Sequence, residues 1–445
     1  MSVVGALLIT IMMAGCEEWP HSHGGGSGPV NQARSYPADL AVAWINLQQG
    51  LTKSTPGFDP LVAARAFSYS GVTLYESVVK GMPGHRSIAA PFMGSDGETM
   101  NPNGIFWPAS ANAAMAEIMR NLFASTSPAN LNRIDSLEAA FVTMFASKVN
   151  SDILHRSKAY GASVAGKVFD WSKSDGGHEA YLSNTDPSYV APSGPGLWIP
   201  TPPAFGSPIR PKWGNNRSFV ANVAQATLPP APPLYGETQT SEFYVAAKSV
   251  YDATQNLTAD DILNIKTWGD LPGNYGTSSH YTHIATQLIV ADKLTLDEAA
   301  QVYAAHGMAI YDATIAVFKA KYTYNVIRPV SFIRNVIGYT SWSSVIGTPP
   351  HPEYPSAHAT IGGASCVVLE SFFGKNRAFV DRTHENLYGA RSYNRLKDYA
   401  VEAAHSRYLG GLHYAFSAHV GLIQGEKVGM MVLSVMNKQG QPTQP

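Results

Sequence analysis

Apolar residues recur at three- and four-residue spacing over positions 41–49, 61–79, 111–123, 134–149 and 153–171, which predicts amphipathic helices in the first half of the chain. Turn clusters such as Gly81-Met-Pro-Gly84 and the stretch 125–128 break the pattern between them. From 182 to about 240 the periodicity gives way to Pro, Gly, Ser and Asn with Trp198, Trp213 and Tyr235 interspersed. Flexible linkers lack such aromatics, so this connection is expected to pack on the helices, either lining access to a site or wrapping the surface. Helical spacing resumes over 242–251, 260–268 and 280–292. Thr295-Leu-Asp-Glu298 then has the form of a capping box, opening a helix expected to run to about Lys319. Further helices are expected over 359–373, over 395–409 with a stop at Gly410-Gly411, and from His413 to about Met436. Strict alternation is scarce, so the fold class is all-α. The expected divisions are 1–33 leader and tether, 34–181 first helical bundle, 182–240 connection, and 241–445 second helical bundle.

With 445 residues, 45% of them hydrophobic, the chain can bury a large core. Charged residues are 14% and the net charge is −1, which points away from nucleic acid and from acidic membrane surfaces. A local cluster of cations therefore stands out. Residues 3–15 form an apolar run ending Met-Ala-Gly-Cys16, too short for a bilayer, which needs about 20 residues. It reads as an export signal. The small residues before Cys16 resemble a bacterial lipoprotein cleavage box, predicting a periplasmic or outer-membrane lipoprotein anchored by lipid on Cys16, with plain secretion as the alternative. Residues 17–29, rich in Gly and His, then form a tether. Only Cys366 remains outside the leader, so no intramolecular disulfide is expected, and Cys366 is assigned to core packing.

Three segments carry candidate chemistry: Lys321 through Arg328-Pro329, then Pro355-Ser356-Ala357-His358, then Ser406-Arg407 with His413 six residues beyond the arginine. Lys321, Arg328 and Arg407 can clasp the oxygens of a tetrahedral oxyanion, the arginines in bidentate fashion. Ser356 and the Ala357 N–H fall at a helix N-terminus, where free N–H groups and the dipole favour an anion. Arg407 sits among Ala403, Ala404 and Leu409, where it needs an anion or a carboxylate such as Glu402. Of the two histidines, one would lie opposite an attacking or leaving oxygen and the other would move protons.

These segments resemble the pattern K-x6-RP, PSGH, SR-x5-H-x3-D of the superfamily shared by phosphatidic-acid-phosphatase-type acid phosphatases and vanadium-dependent haloperoxidases. The chain departs from it at Ala357, whose backbone N–H still serves if φ stays negative, and at Ser417, where phosphatases carry aspartate. The wider stretches from His351 to Thr360, from Lys321 to Asn325 with Asp312-Ala313 ahead, and from Ser406 to His413 resemble the bacterial haloperoxidases. The resemblance implies two packed helical bundles, with the site mainly in the second, and vanadate as cofactor. It implies His413 as the vanadium ligand, with Lys321, Arg328, Ser356, Ala357, His358 and Arg407 holding the cofactor. His358 would be the acid–base group and Lys321 would polarise peroxide. His351, Tyr354 and Trp268 are pocket-wall candidates, with His280 and His283 behind them. The implied reaction is oxidation of a halide, iodide or bromide in preference to chloride, by hydrogen peroxide to hypohalous acid, with a small organic acceptor. The alternatives are an acid phosphatase forming a phosphohistidine at His413 and a non-catalytic oxyanion binder. With serine at 417, a hydroxyl or a bridging solvent is expected to orient His413.

Overall fold

The computed structural model of the protein describes residues 32–88 and 104–440, with side chains described to 436; the leader, Cys16 and the tether lie outside them. The first half builds α1 (Asp39–Ser54), α2 (Pro60–Val78), α3 (Trp107–Leu122), α4 (Pro128–Ala146) and α5 (Ser151–Ser172). The second builds α6 (Glu242–Gln255), α7 (Ala259–Thr267), α8 (Thr277–Ala291), α9 (Leu296–Tyr324), α10 (Ala357–Phe373), α11 (Leu396–Leu409) and α12 (Ala415–Gly440). The fold is all-α, as expected from the periodicity. The exception is a two-stranded antiparallel ribbon, β1 (Phe379–Asp381) with β2 (Arg391–Tyr393), which the pattern did not reveal because each strand is three residues long.

Helix α9 is the axis of the molecule. Its capping box forms as expected, Thr295 and Glu298 each accepting or donating across the first turn. Nearly every side chain from Leu296 to Lys321 is buried, so this helix is enclosed on all sides rather than amphipathic. It packs on α2 of the first half and on α10 and α12 of the second, and one continuous core runs through both halves. The approach to α2 is close enough that a Cβ at Gly71 would lie 2.4 Å from the Tyr303 carbonyl oxygen. A buried pair, Arg65 with Asp175 at 2.8 Å, joined by the Tyr311 hydroxyl at 3.1 Å, adds a polar tie across the same seam.

Several boundaries differ from expectation in ways that matter for the site. Helix α9 continues to Tyr324 and is capped by Asn325 at φ 48°, so Lys321 lies inside its last turn and is fully buried. Helix α12 starts at Ala415, leaving His413 in the preceding turn, where its N–H donates to the Arg407 carbonyl. The connection is packed: Trp198 and Trp213 are buried, and the Trp213 indole donates to Thr314 of α9 at 2.9 Å. Leu197 pairs with Val326 and Ile327 N–H donates to Gly196 O, which ties the connection to the segment leading into Arg328. Cys366 is free and buried in α10. Among the described residues no helix is long and apolar enough to cross a membrane.

Helices α10 and α12 touch backbone to backbone at Gly425, where a Cβ would come 1.9 Å from Thr360 O. Gly425→Ala is expected to lower the thermal midpoint by several degrees through overpacking of about 1–3 kcal/mol. Gly166→Ala in α5, whose added Cβ meets nothing within 4 Å, should be neutral or stabilising; equal midpoints for the two variants in a calorimetric scan would contradict this packing.

Candidate active site

The three cations converge from three elements. Lys321 Nζ, at the end of α9, donates to Pro352 O at 2.9 Å and Glu353 O at 2.8 Å, leaving one proton uncommitted. Arg328 reaches the carbonyls of His351 at 2.9 Å and Leu412 at 2.9 Å, and contacts His351 Nδ1 at 3.0 Å and His413 Nε2 at 3.3 Å. Arg407, near the end of α11, donates to Trp268 O at 3.2 Å, while its Nε is buried without a partner. Glu402 does not serve Arg407: it takes Arg391, the Trp268 indole and the Tyr393 hydroxyl. Ser356 occupies the N-cap position of α10, yet its side chain makes no capping bond and its Oγ is buried and unpartnered. Ala357 is the first helical residue and is absent from the left-handed set, so its N–H heads the helix as glycine's would.

Burial and mutual repulsion dominate the electrostatics. Desolvation, the Arg328 charge and a partial offset from Glu353 put the Lys321 ammonium well below its usual pKa. Desolvation pulls both arginines down to about 10, against the pull of Glu353 on Arg328 and of Asp270 on Arg407. Such a group of cations is stabilised by an anion that reaches all of them. The unpartnered Ser356 Oγ and Arg407 Nε are the donors left for it.

Donor and acceptor rules settle the tautomers of both histidines. Arginine has no acceptor, so His413 Nε2 must accept from Arg328. The His413 proton therefore sits on Nδ1 and is donated to Glu353 Oε1 at 2.8 Å. Burial and the three cations hold this imidazole well below its usual pKa, so it is neutral with an Nε2 lone pair. His358 is arranged in the opposite sense. Burial would raise the Asp270 carboxyl, but His358, Arg407 and Thr277 pull it down to about 2, so Asp270 is ionised and only accepts. Thr277 Oγ1, 3.0 Å from both its oxygens, must donate to it and accept from His358 Nε2 at 2.8 Å. That leaves the His358 lone pair on Nδ1. Burial and Arg407 lower the pKa of this imidazole, with Asp270 partly restoring it. Lys321, Arg328 and Ser356 are fully buried, whereas the Asp270 side chain is 34% exposed, so the site opens on the His358 edge.

The structure thus brings together Lys321, Arg328, Ser356, Ala357, His358, Arg407 and His413, with His351 as the ring against Arg328. Tyr354 is not brought to the cage: its hydroxyl donates to Pro230 O at 2.8 Å and its ring packs on Tyr324 and Phe416. Trp268 contributes its carbonyl, while its ring stacks on His280, which pairs with Asp381 at 2.7 Å. His413 Nδ1 meets Glu353 Oε1 rather than Ser417, whose Oγ has no hydrogen-bond partner. Glu353, Asp270 and Thr277 escaped the sequence reading. The available signal for Glu353 was a carboxylate between two prolines in the stretch His351-Pro-Glu-Tyr-Pro; Asp270 and Thr277 carried none.

Residues 301–441 match the family model described as the VCPO second helical-bundle domain. A solved structure described as the first bacterial vanadium-dependent iodoperoxidase superposes with a TM-score of 0.78 at 30% identity, over 92% of this chain and 98% of that one. A bacterial vanadium-dependent chloroperoxidase in holo form, 15% identical, superposes with a TM-score of 0.64 over 97% and 98% of the two chains and shares the fold. A vanadium-dependent bromoperoxidase of Ascophyllum nodosum is 31% identical over 100 residues, a match covering 20% of this chain and 18% of that protein.

A cage of buried cations predicts stabilisation by any tetrahedral oxyanion that fits. Orthophosphate at 100 times its dissociation constant should add about 2.7 kcal/mol to the unfolding free energy. The resulting rise in thermal midpoint should shrink in Arg407→Met; an unchanged midpoint in saturating phosphate, or an equal rise in the variant, would exclude Arg407 from the anion site.

Proposed function

This chain belongs to the vanadium-dependent haloperoxidases, and on that premise we propose that it oxidises iodide or bromide, in preference to chloride, with hydrogen peroxide to the hypohalous acid, which halogenates a small organic acceptor. Vanadate is the cofactor, and the donor set suits it. The observation that carries the reading is the cage itself: three buried basic side chains, an unpartnered serine hydroxyl and arginine N–H, and an imidazole nitrogen whose lone pair is met only by Arg328 at 3.3 Å. Lys321, Arg328, Arg407, Ser356 Oγ and the Ala357 N–H would hold the oxygens, and His413 Nε2 would be the protein ligand to vanadium. Among the described residues no three His, Cys, Asp or Glu side chains converge as metal ligands, which accords with a metal carried as an oxyanion. When bound, vanadate supplies a Lewis acid that activates hydrogen peroxide toward a halide.

The protein's own part is to position and to move a proton. His358 Nδ1 takes a proton from the incoming peroxide on the open side of the site. The imidazolium so formed is stabilised by Asp270, 3.4 Å from Nε2, directly and through Thr277. Lys321 adds positive charge where the peroxide oxygens would be polarised. The halide preference is supported by the whole-chain likeness to an iodoperoxidase and the local likeness to a bromoperoxidase. The phosphohistidine alternative no longer suffers from serine at 417, because Glu353 supplies the missing carboxylate, and family membership now separates the two reactions.

Apoprotein loaded with orthovanadate should oxidise iodide and bromide in the presence of peroxide faster than chloride. Chloride turnover equal to that of iodide, or phosphate-ester hydrolysis with no halide oxidation, would reverse the assignment. His413→Ala should weaken vanadate retention in equilibrium dialysis by more than the roughly 10–100-fold lost when only a supporting residue is removed. His358→Ala should keep vanadate and lose about 10²–10⁴ in turnover.

The Asp270 charge raises the His358 pKa, so Asp270→Asn should lower it. The acid limb of the kcat/KM profile should then move to lower pH while the plateau falls by at least about tenfold, the low end of proton-transfer contributions being larger still. A limb that stays in place would remove Asp270 from the proton path.

A further inference from the structure

We propose that Glu353 is the positioning residue for His413, fixing its tautomer and ring so that Nε2 presents a lone pair to the oxyanion site. This deepens the function proposed above and rests on His413 being the ligand there. A single carboxylate oxygen, Glu353 Oε1, accepts both from His413 Nδ1 at 2.8 Å and from the Tyr414 N–H at 3.0 Å, so ring and backbone of the same turn are held by one atom. Glu353 is itself immobilised: its N–H donates to Val326 O at 2.9 Å, and its carbonyl accepts from Lys321 Nζ at 2.8 Å. Glu353 is fully buried: burial raises its carboxyl to about 7, against the pull of Lys321 and Arg328, and its Oε2 has no hydrogen-bond partner, so the contact to His413 and Tyr414 rests on Oε1 alone. A carboxylate accepting the Nδ1 proton makes the opposite ring nitrogen a better electron donor, which is what a lone His ligand needs.

The neighbourhood shows where an equivalent carboxylate could stand. Ser417 is fully buried at the start of α12 and its Oγ has no hydrogen-bond partner, yet that hydroxyl lies near enough to Glu353 to oppose, in small part, the rise that burial imposes on the carboxyl. An aspartate at 417 would reach into the same space. In the wild type it would set two buried carboxylates side by side and destabilise the fold. With Glu353 replaced by an apolar residue it would supply the missing acceptor. The two positions are therefore coupled with opposite signs in the two backgrounds.

The test has one readout without vanadate and one with it. In ¹⁵N-histidine-labelled apoprotein, with the His413 signals identified by their loss in His413→Gln, wild type should show a protonated Nδ1 and an unprotonated Nε2. Glu353→Gln, nearly isosteric and still able to accept, should keep that tautomer and bind vanadate about 10–100-fold more weakly in equilibrium dialysis. Glu353→Met should lose the tautomer preference, and Glu353→Met/Ser417→Asp should recover both the tautomer and affinity to within a few-fold of wild type. Ser417→Asp alone should lower the thermal midpoint. Folded Glu353→Gln and Glu353→Met proteins that bind vanadate like wild type with an unchanged His413 tautomer would overturn the role. If Glu353→Met fails to fold, Glu353→Gln with unaltered affinity overturns it equally. Failure of the wild type to bind vanadate would sink the proposed function instead, and the tautomer measurement would still decide the role of Glu353.

Discussion

The constraint that organises this molecule is the burial of Lys321, Arg328 and Arg407 within one cage. Removing three basic groups from water together is costly; beyond the desolvation, Arg328 lowers the pKa of Lys321 and Arg407 lowers that of Arg328. The protein answers with two carboxylates and a shell of carbonyls from Trp268, Pro349, His351, Pro352, Glu353 and Leu412. The three basic groups outnumber the two carboxyl groups, and a bound anion would restore the ionisation that burial opposes at Lys321, Arg328 and Arg407. Because the carbonyls belong to turns, the rigidity of the cage depends on what holds those turns.

Helix α9 and the packed connection hold them. Lys321 is buried because α9 is enclosed along its length, and its ammonium fastens the 352–353 turn from below. The connection pairs with residues 326–327, and Glu353 N–H closes on Val326 O, so the strand-like segments on either side of the cage lock each other. Gly425 lets α12 lie against α10, and the Ser356 N–H donates to Ser417 O at 3.2 Å, joining the serine's helix N-terminus to the turn that carries His413. Distant packing in this way sets the geometry of the reacting groups.

The helices and the cage cations were legible because their signals are local: apolar spacing, a capping box, and three short segments whose residue types match one chemistry. Boundaries were less so. The helix is expected to run to about Lys319, with Lys321 at or just past its end, and instead runs to Tyr324 with Lys321 in its final turn, because a fully enclosed helix has no polar face to mark where it stops. The groups that govern the histidines were not legible at all. Glu353 meets His413 across 60 residues and Thr277 meets His358 across 81, and nothing in the intervening sequence encodes the pairing. Ser417 stands beside an acid that the sequence does not pair with it: Glu353 lies near the Ser417 hydroxyl and meets His413 Nδ1.

The two histidines then divide the work through their neighbours rather than through any difference of their own. His413 faces a donor-only group on Nε2 and an acceptor on Nδ1, so its lone pair is on Nε2, on the side of Arg328. His358 gives its Nε2 proton to Thr277, and its lone pair is on Nδ1. The carboxylate contacts are also graded. Glu353 touches His413 at 2.8 Å, which favours steady electron donation to a bound group, whereas Asp270 lies 3.4 Å from His358 with a hydroxyl interposed. In the proposed reaction His358 would have to accept and release a proton in each cycle, and the longer contact would keep it from holding that proton too tightly. Under the proposed function, exchange of the two carboxylate contacts would give a poorer ligand and an over-basic relay, so the asymmetry between 2.8 and 3.4 Å would let one cage serve binding through His413 and proton transfer through His358.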